Sequence, residues 1–247
     1  MQVLILAGTS DGNALATALA GHPVIRAQAS LAGRTRTPGN LPVSHRVGGF
    51  GGAEGLATHL RADGIDALVD ATHPFASGIT ANAAAAARQT GIPLAILRRP
   101  SWTPGPGDHW LPVPDLDTAA DALQDLGHRV LVTTGRQGLA AFERTPDKHY
   151  VIRTIDPPEP PPALPDAVYL QARGPFRLAD EQALMAGHGV EVLVSKASGG
   201  DATCAKLGAA RALGIPVVMV ERPPEPVGVP AFTDAAEVVR WLEGLRR

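Results

Sequence analysis

Short, wholly apolar runs alternate with alanine-rich helical stretches along this chain. In the first half the runs fall at residues 3–7, 24–31, 67–70 and 94–97. Helical patterns fall at 13–20, in a segment that follows the glycine-rich 48–52 and ends near 62, and at 76–90. Strands that are apolar on both faces, spaced by helices, predict a parallel sheet covered on both sides. The rhythm breaks at 99–114, where Pro100, Pro104, Pro106, Pro112 and Pro114 predict a linker or the wall of a cleft. It then resumes with strands at 129–133, 150–154, 168–172, 192–195 and 217–220. The accompanying helices fall at 117–126, 138–143, 176–186, 202–213 and 234–245. A proline-rich loop spans 157–165, and Thr233 or Asp234 is the expected cap of the last helix.

The two halves resemble each other. Thr80, Ala86, Arg88, Gly91, Ile92, Pro93, Arg99 and Pro100 match Thr203, Ala209, Arg211, Gly214, Ile215, Pro216, Arg222 and Pro223 at one constant offset. In each copy Gly ends a helix, Ile packs and Pro starts a strand. A weaker echo relates 3–12 to 130–138. The pattern predicts an α/β protein made of two Rossmann-like, doubly wound parallel-sheet domains, with a cleft between them. The expected division is 1–101 and 102–247.

Composition narrows the class. The chain has 247 residues, of which 45% are hydrophobic and only 4% aromatic, so the core must be built from Ala, Val, Leu and Ile. A net charge of −2 without a basic run gives no reason to expect a nucleic-acid partner. The alanine stretch at 81–87 is far too short for a membrane span. MQVLILAGTS reads as a first strand and its turn rather than a signal peptide. Cys204 is the single cysteine, which excludes an internal disulfide and suits the cytoplasm. No His or Cys cluster has metal-ligand spacing, so no metal is expected. The composition sets no oligomeric state.

Candidate chemistry sits where strands end. Gly8, Thr9, Ser10 and Gly12 follow the first strand and open the first helix, the position at which a pyrophosphate meets a helix N-terminus. An ordinary turn capped by Ser10 or Asp11 is the alternative reading. After the second strand, a dinucleotide fold places the adenosine ribose, and NAD enzymes carry an acid there. This chain has Ser30, Gly33, Arg34, Thr35 and Arg36 instead, which favours the 2′-phosphate of NADPH over a solvated basic loop. His73, held extended by Pro74, ends the third apolar run and is an expected substrate contact. In the second half Arg136, Gln137, Lys196 and Ser198 occupy equivalent strand ends, where the cations could dock an anionic substrate. The first domain is thus expected to bind NADPH and the second the substrate. Spacing singles out no catalytic proton donor.

Several segments, in order, resemble the precorrin-6A reductases of cobalamin biosynthesis. They are LILAGTSDG (4–12), SLAGRT (30–35), DATHPFA (70–76), RPSW (99–102), TTGRQGL (133–139), ARGPF (172–176) and SKASGG (195–200), the last followed by helix–GIP–strand–ERP. The resemblance implies an NADPH-dependent reduction of one macrocycle double bond, giving precorrin-6B from precorrin-6A. The substrate would be a large tetrapyrrole edged with carboxylates, matching the Arg- and Lys-bearing strand ends. Alternatives are the cobalt-precorrin-6A reductase of the anaerobic route and a non-catalytic NADP-binding sensor. A short-chain reductase is disfavoured, because neither Tyr150 nor Tyr169 has Lys four residues on.

Overall fold

The computed structural model describes residues 1–33 and 41–245. The chain forms two compact units, Met1–Pro100 with Pro223–Arg247, and Ser101–Arg222. The expected single boundary near residue 101 is therefore corrected: the chain leaves the first unit at Pro100 and returns to it at Pro223.

In the first unit β1 (Gln2–Leu6), β2 (Arg26–Leu31), β3 (Ser44–Val47), β4 (Ala67–Asp70) and β5 (Leu94–Leu97) alternate with α1 (Ser10–Leu19), α2 (Ala53–Ala62) and α3 (Ser77–Thr90). The second unit opens with β6 (Trp110–Val113) and α4 (Leu116–Ala122). It continues through β7 (Arg129–Val132), β8 (His149–Thr154), β9 (Ala167–Gln171), α5 (Leu178–Gly187), β10 (Val192–Lys196), α6 (Ala205–Leu213) and β11 (Val217–Val220). The chain then returns to the first unit as β12 (Ala231–Phe232) and α7 (Ala235–Gly244).

The sheet orders are β3-β2-β1-β4-β5-β12 and β9-β8-β7-β10-β11-β6, and every pairing is parallel. Both are the doubly wound order of a dinucleotide-binding fold. Their outer strands are exchanged. β5 leads through Arg99-Pro100 to β6, which pairs with β11, and β11 leads through Arg222-Pro223 to β12, which pairs with β5. The Arg-Pro of each sequence repeat thus marks a point where the chain changes sheet. The matching turns also fold alike. Gly91 and Gly214 end α3 and α6 in the left-handed region, at φ 73° and 67°. The carbonyls of Pro93 and Pro216 then accept from Leu68 and Leu193 at 2.9 and 3.0 Å.

Edge strands account for most differences from the sequence-based expectation. β3 reads Ser-His-Arg-Val and is mostly solvent-facing, so it offers no apolar run. β6 lies inside the expected linker and tolerates Pro112 because it pairs on one side only. α1 starts at Ser10 rather than residue 13, and Leu139–Arg144 is a 3-10 helix.

In the first unit both sheet faces are buried. Leu15, Ala16 and Leu19 of α1 pack with Val238 and Leu242 of α7 over Val3 and Ile5, while Leu56 and Leu60 of α2 and the alanines of α3 cover Leu4 and Leu68. Small alanines let α3 lie close to the sheet. The returning segment therefore supplies core, and Leu242, fully buried, tests this. Leu242→Ala should lower unfolding free energy by about 2–5 kcal/mol, as for other buried leucines. Denaturation that matches the parent would show α7 to be dispensable.

Candidate functional site

The strand order of the first unit reverses at β1, which places the turns after β1 and β4 around the crevice where this topology binds ligands. Gly8 has φ 118°, with open space where a Cβ would stand. Thr9, not Ser10 or Asp11, caps α1. Its hydroxyl accepts from the Gly12 N–H at 3.1 Å and donates to the Ala71 carbonyl at 2.8 Å, tying this turn to the end of β4. A Cβ on Gly12 would stand 3.2 Å from two atoms of Ala7, so this glycine lets the helix pack on the strand. Ser10 is exposed, and its hydroxyl accepts from Arg99 at 3.1 Å. Arg99 also pairs with Asp11 at 3.1 Å, so the one acid of the turn is met by a cation. Open backbone, a helix N-terminus and an exposed hydroxyl suit a diphosphate.

At the end of β2, Ser30 is buried, and Gly33 has φ 70° beside Val47. Arg34, Thr35 and Arg36 lie outside the described residues. The end of β4 is set by Asp70, which is wholly buried. Its carboxylate accepts from Thr72 Oγ1 and Thr80 Oγ1, each at 2.6 Å, and from Arg98 Nη2 at 2.8 Å. Arg98 further donates to the Thr72 carbonyl at 2.9 Å. On this base the next residues turn sharply, and His73 Nδ1 accepts from the Phe75 N–H at 3.2 Å. Thr72 thus serves the Asp70 network instead of capping α3.

The equivalent reversal in the second unit falls at β7, between the ends of β7 and β10. Arg136 and Gln137 are exposed, on a turn whose Gly135 and Gly138 both have φ 80°. Lys196 donates from Nζ to the Thr134 carbonyl at 2.9 Å, and burial holds its ammonium below the usual lysine range. Arg222 fixes the neighbouring loop through the carbonyls of Ala197 and Ser198, at 2.8 and 3.0 Å. These strand ends thus bring Arg136, Gln137, Lys196 and Ser198 to one edge of one sheet, while His73 stands at the corresponding edge of the first unit's sheet.

Sequence reasoning did not single out the charged groups at the end of β8. Arg153 and Glu181 form a buried two-contact ion pair, 2.9 Å between Nη2 and Oε2, with the guanidinium 3.9 Å above the Phe176 ring centroid. Lys206, 5% exposed, donates to the Thr203 carbonyl at 3.0 Å and lies 4.8 Å from the Trp102 ring centroid. Burial, reinforced by Arg153 and opposed by Glu181, brings its pKa to about 7. Their only advance signal was position near strand and helix ends.

The fold and its strand ends define a two-unit α/β protein of the dinucleotide-binding topology, with anion-suited turns at both sheet reversals. The chain belongs to the family described as Precorrin-6x reductase CbiJ/CobK, whose pattern matches residues 2–243. A precorrin-6A reductase of Rhodococcus erythropolis is 53% identical over 247 residues, covering 100% of this chain and 99% of that protein. A cobalt-precorrin-6A reductase of Priestia megaterium is 30% identical, covering 97% of each. The solved structure of CobK precorrin-6A reductase superposes with a TM-score of 0.91 at 41% identity, covering 99% of this chain and 96% of that one.

The depressed lysine makes stability depend on pH. Between pH 7 and the ordinary lysine value near 10.5, an unfolded chain holds a proton on Lys206 that the folded chain lacks. Stability from this group therefore rises with pH across that window, by at most about 1.4 kcal/mol per pH unit. Lys206→Met should remove this rise. Urea titrations of parent and variant at pH 7 and 9 would show it, and parallel pH dependences would contradict a displaced lysine.

Proposed function

We propose that this chain reduces one double bond of precorrin-6A with NADPH to give precorrin-6B, in the cytoplasm. The observation that carries this reading is the whole-length match to the family, including relatives named for that reaction. The greater identity to the precorrin-6A enzyme than to the cobalt-precorrin one favours the metal-free substrate. No described helix is long and apolar enough to cross a membrane.

NADPH, when bound, supplies a hydride for one ring carbon; a proton is added at its neighbour. The first unit holds the dinucleotide. The backbone at Gly8, the start of α1 and Ser10 receive the pyrophosphate, and Arg99 offsets the charge of Asp11 beside it. Ser30 and Gly33, with the sequence-assigned Arg34, Thr35 and Arg36, are the residues proposed to bind the phosphorylated ribose. In the second unit Arg136, Gln137, Lys196 and Ser198 bind rim carboxylates of the macrocycle. Partial desolvation of Lys196 strengthens its pairing with an arriving carboxylate, because little water must be displaced. Purified chain, NADPH and precorrin-6A should give NADPH oxidation matched mole for mole by a product carrying two more hydrogens. Binding of NADPH without turnover would leave only a sensor.

The pyrophosphate assignment is tested by Ser10→Asp. An acid in the first turn favours the helix electrostatically but repels a phosphate. Thermal stability should hold, while NADPH affinity should fall by about tenfold or more, as for an opposed charge-assisted contact. Undiminished affinity by calorimetry would make the turn merely structural.

The substrate assignment is tested by Lys196→Ala and Arg136→Ala. Rim contacts serve ground and transition states alike, so KM for precorrin-6A should rise more than kcat falls. Loss of NADPH affinity instead would reverse the division of labour.

A further inference from the structure

The glycine-rich turn Gly48-Gly49-Phe50-Gly51-Gly52 joins β3 to α2, and the proposed chemistry does not yet use it. Gly48, Gly51 and Gly52 have φ 125°, 75° and 98°, values that only glycine adopts readily. Gly55 allows the turn to close, since a Cβ there would run into the Phe50 carbonyl. The turn thereby holds the Phe50 ring under Arg46, whose guanidinium carbon lies 4.2 Å from the ring centroid.

Arg46 is half-buried at the end of β3 and is the register partner of Ser30 on β2. Nη1 donates to Ser30 Oγ at 3.1 Å and to the Gly48 carbonyl at 3.0 Å, and Nη2 donates to the Gly49 carbonyl at 3.1 Å. All three acceptors are neutral. A guanidinium has five N–H groups, which leaves Nε and one hydrogen of Nη2 for an added acceptor. Among the described residues no carboxylate pairs with Arg46.

The second unit offers a comparison, on β8 rather than on the strand equivalent to β3. There Arg153 also stacks on a phenylalanine that precedes a helix, but Glu181, the fourth residue of α5, neutralises it in the core. The fourth residue of α2 is Leu56. One sheet therefore carries a stacked guanidinium quenched by a buried carboxylate, and the other carries one whose charge no side chain among the described residues offsets. The latter lies at the end of the strand pair β2–β3, on the side of the sheet edge where this topology seats the adenosine ribose.

We propose that Arg46, oriented by Phe50 and Ser30, is a recognition residue for the 2′-phosphate of the dinucleotide. Preference for NADPH over NADH then rests on a braced side chain. The inference builds on the reading that the first unit binds NADPH.

Two probes that differ only by the phosphate at issue separate these claims: adenosine 2′,5′-bisphosphate and 5′-AMP, titrated by calorimetry. The parent should bind the bisphosphate more tightly. Arg46→Gln should weaken the bisphosphate by about tenfold, as for a lost charge-assisted contact, and leave 5′-AMP nearly unchanged. Arg46→Lys, which keeps the charge without the fork, should fall between them. If the parent discriminates and Arg46→Gln discriminates equally, this inference fails while the NADPH reading stands. Equal weakening of both probes would assign Arg46 to shaping the turn alone, and overturn the inference. A parent that binds neither probe would overturn both.

Discussion

The buried pair of Asp70 and Arg98 organises the first unit's ligand edge. Asp70 is wholly buried and Arg98 is 6% exposed, and two threonine hydroxyls complete the carboxylate's contacts. A charge in that position is tolerable only because every strong contact is made. Removing one member of such a pair typically costs about 3–5 kcal/mol, since the other is left uncompensated. The pair also fixes geometry. It joins the ends of β4 and β5 and the first turn of α3, and so determines where the chain emerges as His73-Pro74-Phe75. Through Ala71, whose carbonyl holds Thr9, the same strand end braces the turn after β1.

The exchange of outer strands imposes a second constraint. Each sheet is completed by a strand that follows the other sheet's fifth strand in the chain. The first unit therefore lacks its sixth strand and α7 until the last residues are present. Pro93 and Pro216, Gly91 and Gly214, and the two Arg-Pro pairs keep this connection the same in both copies. After the crossing, the backbone pairing also repeats: Arg98 N–H donates to Phe232 and Glu221 N–H to Val113, at 2.9 and 2.8 Å.

Interior strands were legible in the sequence because both of their faces are buried. β1, β4, β5, β7, β10 and β11 stand out as apolar runs. β3, β6 and β12 were not legible, since an edge strand has one partner and can carry Ser, His, Arg or Pro. The return of 223–247 was illegible for another reason: it depends on pairing Leu97 with Phe232, a contact that no local pattern encodes. The same division holds for the site. Strand-end position brought out Gly8, Ser10, His73, Lys196 and Ser198. Long-range partners such as Arg99 with Asp11, and Arg98 with Asp70, required the fold to bring them together. Arg46 sat in a strand too polar to be recognised.

The duplicated frame carries different charges at its two edges. By register Asp70 corresponds to Ser195, and in the sequence repeat Arg98 corresponds to Glu221, so the buried ion pair of one copy has no equivalent in the other. At the neighbouring strand ends the difference runs the other way: Arg153 is neutralised by Glu181, and among the described residues Arg46 meets only neutral acceptors. Arg153 on β8 and Arg46 on β3 stand on non-equivalent strands, so the two sheets differ in where charge is placed as well as in how it is paired. In the second unit Arg136, on the turn after β7, and Lys196, at the end of β10, stand at the reversal itself. In the first unit Arg99 stands beside the start of α1 and Arg46 at the end of the β2–β3 pair. Under the proposed division of labour, the placement of positive charge, rather than its amount, distinguishes the two edges.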